Sequence, residues 1–278
     1  MTDRYAVIGN PIDHSKSPLI HSLFAQASNQ DMSYTALLGE TEPGGFARAV
    51  DAFRAAGGQG LNVTVPFKTD AFAYANELSP DAQLAGAVNA LKFDGGRVLG
   101  QNFDGIGLVR DVEQNLHVPV AGRRVLVLGA GGATRGALLP LVNAGAATIV
   151  VANRTASKAA ALAQEFAPHA ANTAIEGCGL DGLEERLFDI VFNATSASLS
   201  AELPLISPSA FAPGALAYDL VYGKGLTPFL RLASKAGCAQ VVDGVGMLVE
   251  QAAEAFHWWR GVRPETREVI QQLTVPLV

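Results

Sequence analysis

The sequence is poor in the features that would mark a secreted, metal-binding or membrane protein. It has two cysteines, Cys178 and Cys238, far apart and with neither a CxxC spacing nor histidines close by. Neither a disulfide framework nor a zinc site is expected, and no other metal. No apolar run approaches the roughly 18 to 20 residues of a membrane span. No charged-then-apolar leader opens the chain, so export is not expected and a reducing cytoplasm is. Charge is scarce: 17% of residues are charged, against an average of about 25%. The 20 basic and 26 acidic residues leave −6, which argues against a nucleic-acid groove. There is no low-complexity tract and no repeat at solenoid spacing.

What is abundant is glycine, 29 in 278 residues, placed as punctuation. Short apolar runs at 5–8, 60–65, 125–128, 148–151, 190–192, 217–220 and 240–242 each end near Gly, Asn or Asp and read as buried parallel strands. Between them, residues 18–26, 46–55, 134–143 and 158–165 carry helical spacing. Strand and helix alternate throughout, the pattern of an α/β fold with parallel sheets. At this length two domains are expected. A boundary falls at 104–122, where a helical stretch at 106–116 leads to a fresh strand at Arg124. Two helical segments at the end, 246–259 and 264–273, serve no strand and are expected to fold back on the first domain.

The second half opens with a strand, a glycine turn and a helix start: Val125 to Leu128, then Gly129-Ala130-Gly131-Gly132-Ala133-Thr134-Arg135-Gly136. Such turns let backbone N–H groups approach a pyrophosphate at the positive end of a helix. Thr134 stands where the strict GxGxxG pattern has its third glycine, and a tight turn without a ligand remains open. The next strand ends in Asn153-Arg154-Thr155 with Lys158 one turn on. A ribose-binding acid is missing there, and Arg154 and Lys158 offer donors to a 2′-phosphate, which favours NADP over NAD; a solvated basic face is the alternative. Phe192-Asn193-Ala194-Thr195-Ser196 ends another strand in small polar residues.

In the first half, Ser15 and Ser17 lie two residues apart before a helix with Pro18 at its start, and they suit either a helix cap or a carboxylate site. In Asn62-Val63-Thr64-Val65-Pro66-Phe67-Lys68, alternation sets Asn62 and Thr64 on one side, and Pro66 stops the strand so that Lys68 reaches beyond its end. Asp104, between the glycines of Gly100-Gln101-Asn102-Phe103-Asp104-Gly105, is a candidate partner for Lys68, an N-cap for the 106–116 helix, or both. Alternation at 102–104 turns Phe103 away from Asp104.

Together, GNPIxHSxSP at 9–18, NVTVPFK at 62–68, AGAVN at 85–89, GxNxDGxG at 100–107, GAGGATRG at 129–136, NRT at 153–155, NATS at 193–196, Tyr218-Asp219 with Thr227-Pro228-Phe229, and DGVGML at 243–248 with Gln251 resemble the shikimate dehydrogenase family along nearly the whole chain. The resemblance implies an N-terminal α/β substrate domain with a mainly parallel sheet (1–104), a Rossmann-type NADP-binding domain (105–243), C-terminal helices returning to the substrate domain (244–278), and an active site in the cleft between the domains. It implies an NADP-dependent oxidoreductase interconverting 3-dehydroshikimate and shikimate on the route to aromatic amino acids, acting as a monomer or homodimer. By the same analogy Lys68 and Asp104 form the catalytic pair. Ser15, Ser17 and Tyr222 hold the substrate carboxylate, and Asn62, Thr64, Asn89, Asp104 and Gln251 grip its hydroxyls. Gly129, Gly131, Gly132, Ala133, Asn153, Arg154, Thr155, Lys158, Thr195, Ser196, Leu220, Gly244 and Met247 line the cofactor site. The chain departs from the family at Ala90 and Phe103, where threonine is common, and at Gly223-Lys224, where Asn-Pro is frequent. These departures leave open a quinate/shikimate dehydrogenase of broader specificity, and, in a different class, a catalytically idle NADP-binding regulator.

Overall fold

A computed structural model describes residues 2–195 and 206–277. The chain divides into two compact units, Met1–Gly107 with Val249–Val269, and Leu108–Leu248 with Ile270–Val278. Among the described residues no helix is long and apolar enough to cross a membrane.

The first unit is built on a six-stranded sheet. Strands β1 (Asp3–Gly9), β2 (Met32–Leu38), β3 (Gly58–Val63), β4 (Glu77–Leu78), β5 (Ala90–Asp94) and β6 (Arg97–Gln101) lie in the order β2-β1-β3-β5-β6-β4. The β1–β2, β1–β3 and β4–β6 pairs are parallel, while β5 runs antiparallel to both neighbours. Alternation along β1 assigns the faces. Ala6 and Ile8 join Leu61, Val63 and Leu91 against Phe46, Val50 and Phe53 of helix α2 (Gly45–Ala55). Tyr5 and Val7 join Tyr34, Ala90, Phe103, Ala255 and Trp259 on the other face. Trp259 comes from a later helix (Val245–Arg260), and its indole N–H donates to the Leu91 carbonyl at 3.0 Å.

Three details differ from the sequence expectations. The strand expected at 60–65 ends at Val63, and its successor peptide Val65–Pro66 is cis, as is Asn10–Pro11. The apolar runs read above do not include 90–94, where β5 directly follows the AGAVN segment. Helix α1 (Ser17–Ala27) has Lys16 at its N-cap with no side-chain cap; the Ser15 hydroxyl instead accepts the Ser17 N–H at 3.3 Å.

The second unit is an all-parallel sheet of β7 (Arg124–Leu128), β8 (Thr148–Ala152), β9 (Ala174–Cys178), β10 (Phe188–Asn193), β11 (Phe211–Asp219) and β12 (Gln240–Asp243), in the order β12-β11-β10-β7-β8-β9. Counted from β7 this is the 3-2-1-4-5-6 order of the dinucleotide-binding fold, whose strand order reverses between β7 and β10, the place where such sheets bind ligands. Its core is the continuous apolar interior that parallel sheets require, with Leu126, Leu128, Val150, Val191 and Ala217 buried against Phe188, Phe211 and Phe229.

Candidate active site

In the first unit, three loops or helix starts converge at the end of β3, the start of β5 and the end of β6. Helix α3 (Lys68–Tyr74) begins at Lys68, two residues after the proline that follows β3. Helix α5 (Asp104–Arg110) begins at Asp104 and continues as a π-helical turn over Asp111–Asn115. The Lys68 Nζ lies 2.5 Å from Asp104 Oδ2. Asn89, immediately before β5, donates from Nδ2 to Asp104 Oδ1 at 2.8 Å. Each carboxylate oxygen therefore has its own donor. Asp104 does not cap its helix with its side chain as the alternative reading had it: the Asn102 side chain accepts the Asp104 N–H at 3.1 Å, leaving the carboxylate to Lys68 and Asn89.

The amide of Asn89 can face only one way. Its Oδ1 accepts the Phe103 N–H at 2.9 Å, so its NH₂ must point to Asp104, and it also reaches Gln251 Oε1 at 3.4 Å. Asn102 is pinned in turn by donating to the Ala87 carbonyl at 3.1 Å. The pair is only partly covered, with 30% of the Lys68 side chain and 19% of the Asp104 side chain exposed, so a ligand can still reach both. Gly107 explains how Gln251 comes so near: a Cβ at 107 would stand 2.6 Å from the Gln251 backbone nitrogen and 2.8 Å from its Cβ. Only glycine lets those two helices approach this closely.

Asn62 is buried on β3, where its Nδ2 points to the Asn89 carbonyl at 3.4 Å. Thr64 follows the strand, its backbone N–H donating to the Ile8 carbonyl at 3.0 Å. Ser15 is half-buried and Ser17 buried at the start of α1. Lys68, Asp104, Asn89, Gln251 and Asn62 are thus joined by hydrogen bonds. Tyr222 belongs to the second unit, exposed on the loop after β11. The sequence reading missed Tyr34, whose hydroxyl donates to Asn62 Oδ1 at 2.6 Å; no motif marks it, and only the strand register brings it near.

In the second unit, the turn after β7 leads into helix α6 (Gly132–Asn143), whose N-cap is Gly131 and whose first N–H groups have no side-chain cap. Gly129 has φ +100°, a left-handed conformation that suits glycine, and a Cβ there would lie 3.1 Å from Thr195 Cγ2. The ends of β7 and β10 therefore meet at the switch point. Thr134, in place of the third glycine, is buried and donates its hydroxyl to the Gly129 carbonyl at 2.7 Å, locking the turn. Gly131, Gly132 and Ala133 are exposed, with open space where a Cβ at either glycine would be. Asn153 bonds the Thr155 carbonyl at 3.0 Å, which shapes the loop after β8. Arg154 and Lys158 are exposed on that loop and on helix α7 (Ala156–Phe166), and neither is in an ion pair among the described residues. Thr195 bonds Asn193 through both its N–H and hydroxyl; Ser196 lies outside the described residues. Leu220 follows β11, and Gly244 sits between β12 and the Val245–Arg260 helix, against the Leu220 carbonyl. The Met247 N–H donates to the Tyr218 hydroxyl at 3.1 Å, which itself donates to the buried Asp111 carboxylate at 2.7 Å.

An uncapped helix start beside a glycine turn, with the exposed Arg154 and Lys158 after the next strand, fits a pyrophosphate and a 2′-phosphate. Three family profiles match the chain in order: shikimate dehydrogenase substrate binding domain over residues 7–91, shikimate/quinate 5-dehydrogenase over 111–210, and shikimate 5′-dehydrogenase C-terminal domain over 244–274. A shikimate dehydrogenase (NADP(+)) of Chromobacterium violaceum is 54% identical over 273 residues, covering 98% of each chain. Among solved structures, an Ael1 enzyme from Pseudomonas putida is 58% identical, with a TM-score of 0.93 over 99% of this chain and 100% of its own. A Thermus thermophilus shikimate 5-dehydrogenase, solved with NADP(H) and shikimate, is 33% identical, with a TM-score of 0.84 over 98% of this chain and 99% of its own. With identity this high over so nearly the full length, and with the Lys68–Asp104 pair in one unit and the glycine turn at the switch point of the other, the chain belongs to the shikimate dehydrogenase family.

Proposed function

We propose that this chain interconverts shikimate and 3-dehydroshikimate with NADP, and that Lys68 and Asp104 carry the proton chemistry. The observation that carries this reading is the Lys68–Asp104 ion pair at 2.5 Å with Asn89 on the second carboxylate oxygen. NADP, when bound, gives or takes the hydride at the carbon that is ketone in one direction and alcohol in the other. In reduction, the Lys68 ammonium donates its proton to the ketone oxygen as that oxygen gains charge, and it regains a proton from water afterwards. In oxidation the neutral Lys68 amine accepts the hydroxyl proton. Asp104 holds the ammonium in place and accepts a hydrogen bond from a substrate hydroxyl, while Asn89 keeps the carboxylate oriented.

Ser15, Ser17 and Tyr222 take the substrate carboxylate, and Asn62, Thr64, Asn89 and Gln251 its ring hydroxyls. The turn from Gly129 to Ala133 cradles the pyrophosphate; Arg154 and Lys158, with Asn153 and Thr155, take the 2′-phosphate; Thr195, Ser196, Leu220, Gly244 and Met247 line the remainder. Residues 1–104 serve as the substrate domain, 105–243 as the NADP domain and 244–278 as the closing helices. All the proposed acid–base groups come from one chain, so a monomer or a homodimer serves equally, and the free thiols of Cys178 and Cys238 accord with a reducing cytoplasm.

The test is a steady-state assay of shikimate and of quinate, each with NADP⁺ and with NAD⁺. The highest kcat/KM is expected for shikimate with NADP⁺. A higher value for quinate would assign a quinate/shikimate enzyme, a higher one for NAD⁺ would overturn the cofactor reading, and no turnover with either alcohol would assign a regulator.

A further inference from the structure

We propose that Tyr34 is a positioning residue that fixes the polarity of the Asn62 amide, so that Asn62 meets the substrate as a hydrogen-bond donor and selects an oxygen acceptor there. The proposal rests on the reading of Asn62 as a substrate ligand.

An asparagine amide is nearly symmetric in shape but not in chemistry, because turning it over exchanges an acceptor for two donors. Two bonds set its orientation here. The Tyr34 hydroxyl donates to Oδ1 at 2.6 Å, and Nδ2 points to the Asn89 carbonyl at 3.4 Å. In the reverse orientation the amide oxygen would face that carbonyl, oxygen against oxygen. The amide oxygen is thus engaged by Tyr34 and one N–H faces Asn89, so the second N–H is the donor that the proposal assigns to the substrate.

The strand register makes the contact possible. Tyr34 on β2 stands beside Tyr5 of β1, and Asn62 on β3 stands beside Val7. Tyr5 and Val7 point to the same face, so Tyr34 and Asn62 share that face on opposite flanks of β1, and the tyrosine side chain spans the gap.

Tyr34 is itself held rigidly. Its ring stacks on His21 with centroids 4.1 Å apart and planes 6° from parallel, and Trp259 lies 5.5 Å and Phe256 6.2 Å from the same imidazole. Both His21 nitrogens are buried without a hydrogen-bond partner among the described residues. The imidazole packs face to face beneath the Tyr34 ring and edge-on to Phe24. Burial pushes His21 down to about 3, with an opposing effect from Asn62, so the platform stays uncharged near neutral pH. Burial also pushes the Tyr34 phenol well above its ordinary range, against an opposing hydrogen-bonding effect of Ser17. Tyr34 therefore remains a donor, and it touches two of the proposed substrate residues.

The experiment compares Tyr34→Phe, Asn62→Ala and the double variant, with KM and kcat measured for shikimate at saturating NADP⁺ and for NADP⁺ at saturating shikimate. Phenylalanine keeps the stacked ring and removes only the hydroxyl. Tyr34→Phe is expected to raise the shikimate KM roughly 3- to 10-fold, the factor of one neutral hydrogen bond, with kcat within twofold and the NADP⁺ KM unchanged. Asn62→Ala is expected to raise the shikimate KM at least as much. The double variant, in which neither buried partner is left alone, is expected to match Asn62→Ala. An unchanged shikimate KM in Tyr34→Phe overturns the proposal, as does a double variant several-fold worse than Asn62→Ala. An unchanged KM in Asn62→Ala removes the reading of Asn62 and the proposal with it, whereas a raised one beside an unaffected Tyr34→Phe removes the role of Tyr34 alone.

Discussion

Replacing Phe103 by the threonine common in the family should weaken the fold rather than sharpen the chemistry. The ring is 5% exposed, in a cluster with Tyr5, Val7, Ala90 and Trp259, and it meets Trp258 edge to face at 5.7 Å and 71°. Ala90, the second position where threonine is common in the family, is buried in the same cluster, so these two changes belong to one packing arrangement. Cutting a buried Phe to Ala costs about 3–5 kcal/mol. Threonine restores a methyl, worth about 0.8 kcal/mol, but buries a hydroxyl, which costs about 1–3 kcal/mol if it finds no partner. The net is a loss of about 3–7 kcal/mol, or a fall in Tm of roughly 6–28 °C at this chain size. The contact of residue 103 with the site is its backbone N–H to Asn89 Oδ1, which threonine retains, so kcat/KM should stay within about threefold. Thermal unfolding and shikimate kinetics on one Phe103→Thr preparation decide the matter. An unchanged Tm with a gain of roughly 2- to 13-fold in kcat/KM would mean that side chain 103 reaches the substrate.

Two more perturbations separate electrostatic roles. His21, pushed down to about 3 by burial, stays unprotonated in the folded chain while the unfolded chain takes up a proton near pH 6.5. Stability should therefore be flat above about pH 6.5 and fall on acidification towards pH 3, by up to about 1.4 kcal/mol per pH unit from this group. In His21→Phe the loss between pH 7.5 and 5, measured by urea unfolding, should shrink by about 2 kcal/mol; an identical acid slope in both proteins would refute the assignment. For the cofactor, Arg154→Ala with Lys158→Ala should weaken NADP⁺ binding by at most about 1.5–3 kcal/mol per lost charged hydrogen bond and spare NAD⁺, as read by titration calorimetry. Equal losses for both cofactors would point to a damaged fold.

Much of this was legible in the residues, and what was not has identifiable physical causes. The buried parallel strands read well because burial on both faces writes a continuous apolar run, as in Val125 to Leu128. Strands at the side of the first sheet do not have that signature. β2 lies at an edge with Ser33 and Thr35 between apolar neighbours, and β5 and β6 form a hairpin. The hairpin did carry a signal, Asp94-Gly95-Gly96-Arg97, in which both glycines have positive φ, the requirement of a two-residue turn between twisted strands. The pairing of Lys68 with Asp104 was readable from motifs at strand ends. The dependence of Asn89 on the Phe103 N–H, and of Asn62 on Tyr34, was not, because the first arises from the register of the β5–β6 hairpin and the second from that of β2, β1 and β3.

The central claim is that Lys68 moves the proton that accompanies reduction and oxidation, and the most direct test is the kcat of Lys68→Ala with saturating shikimate and NADP⁺. A fall of about 100-fold or more, with the shikimate KM within a few-fold of the parent, is the expected result. A near-normal kcat with only KM raised would contradict the account and recast Lys68 as a binding residue.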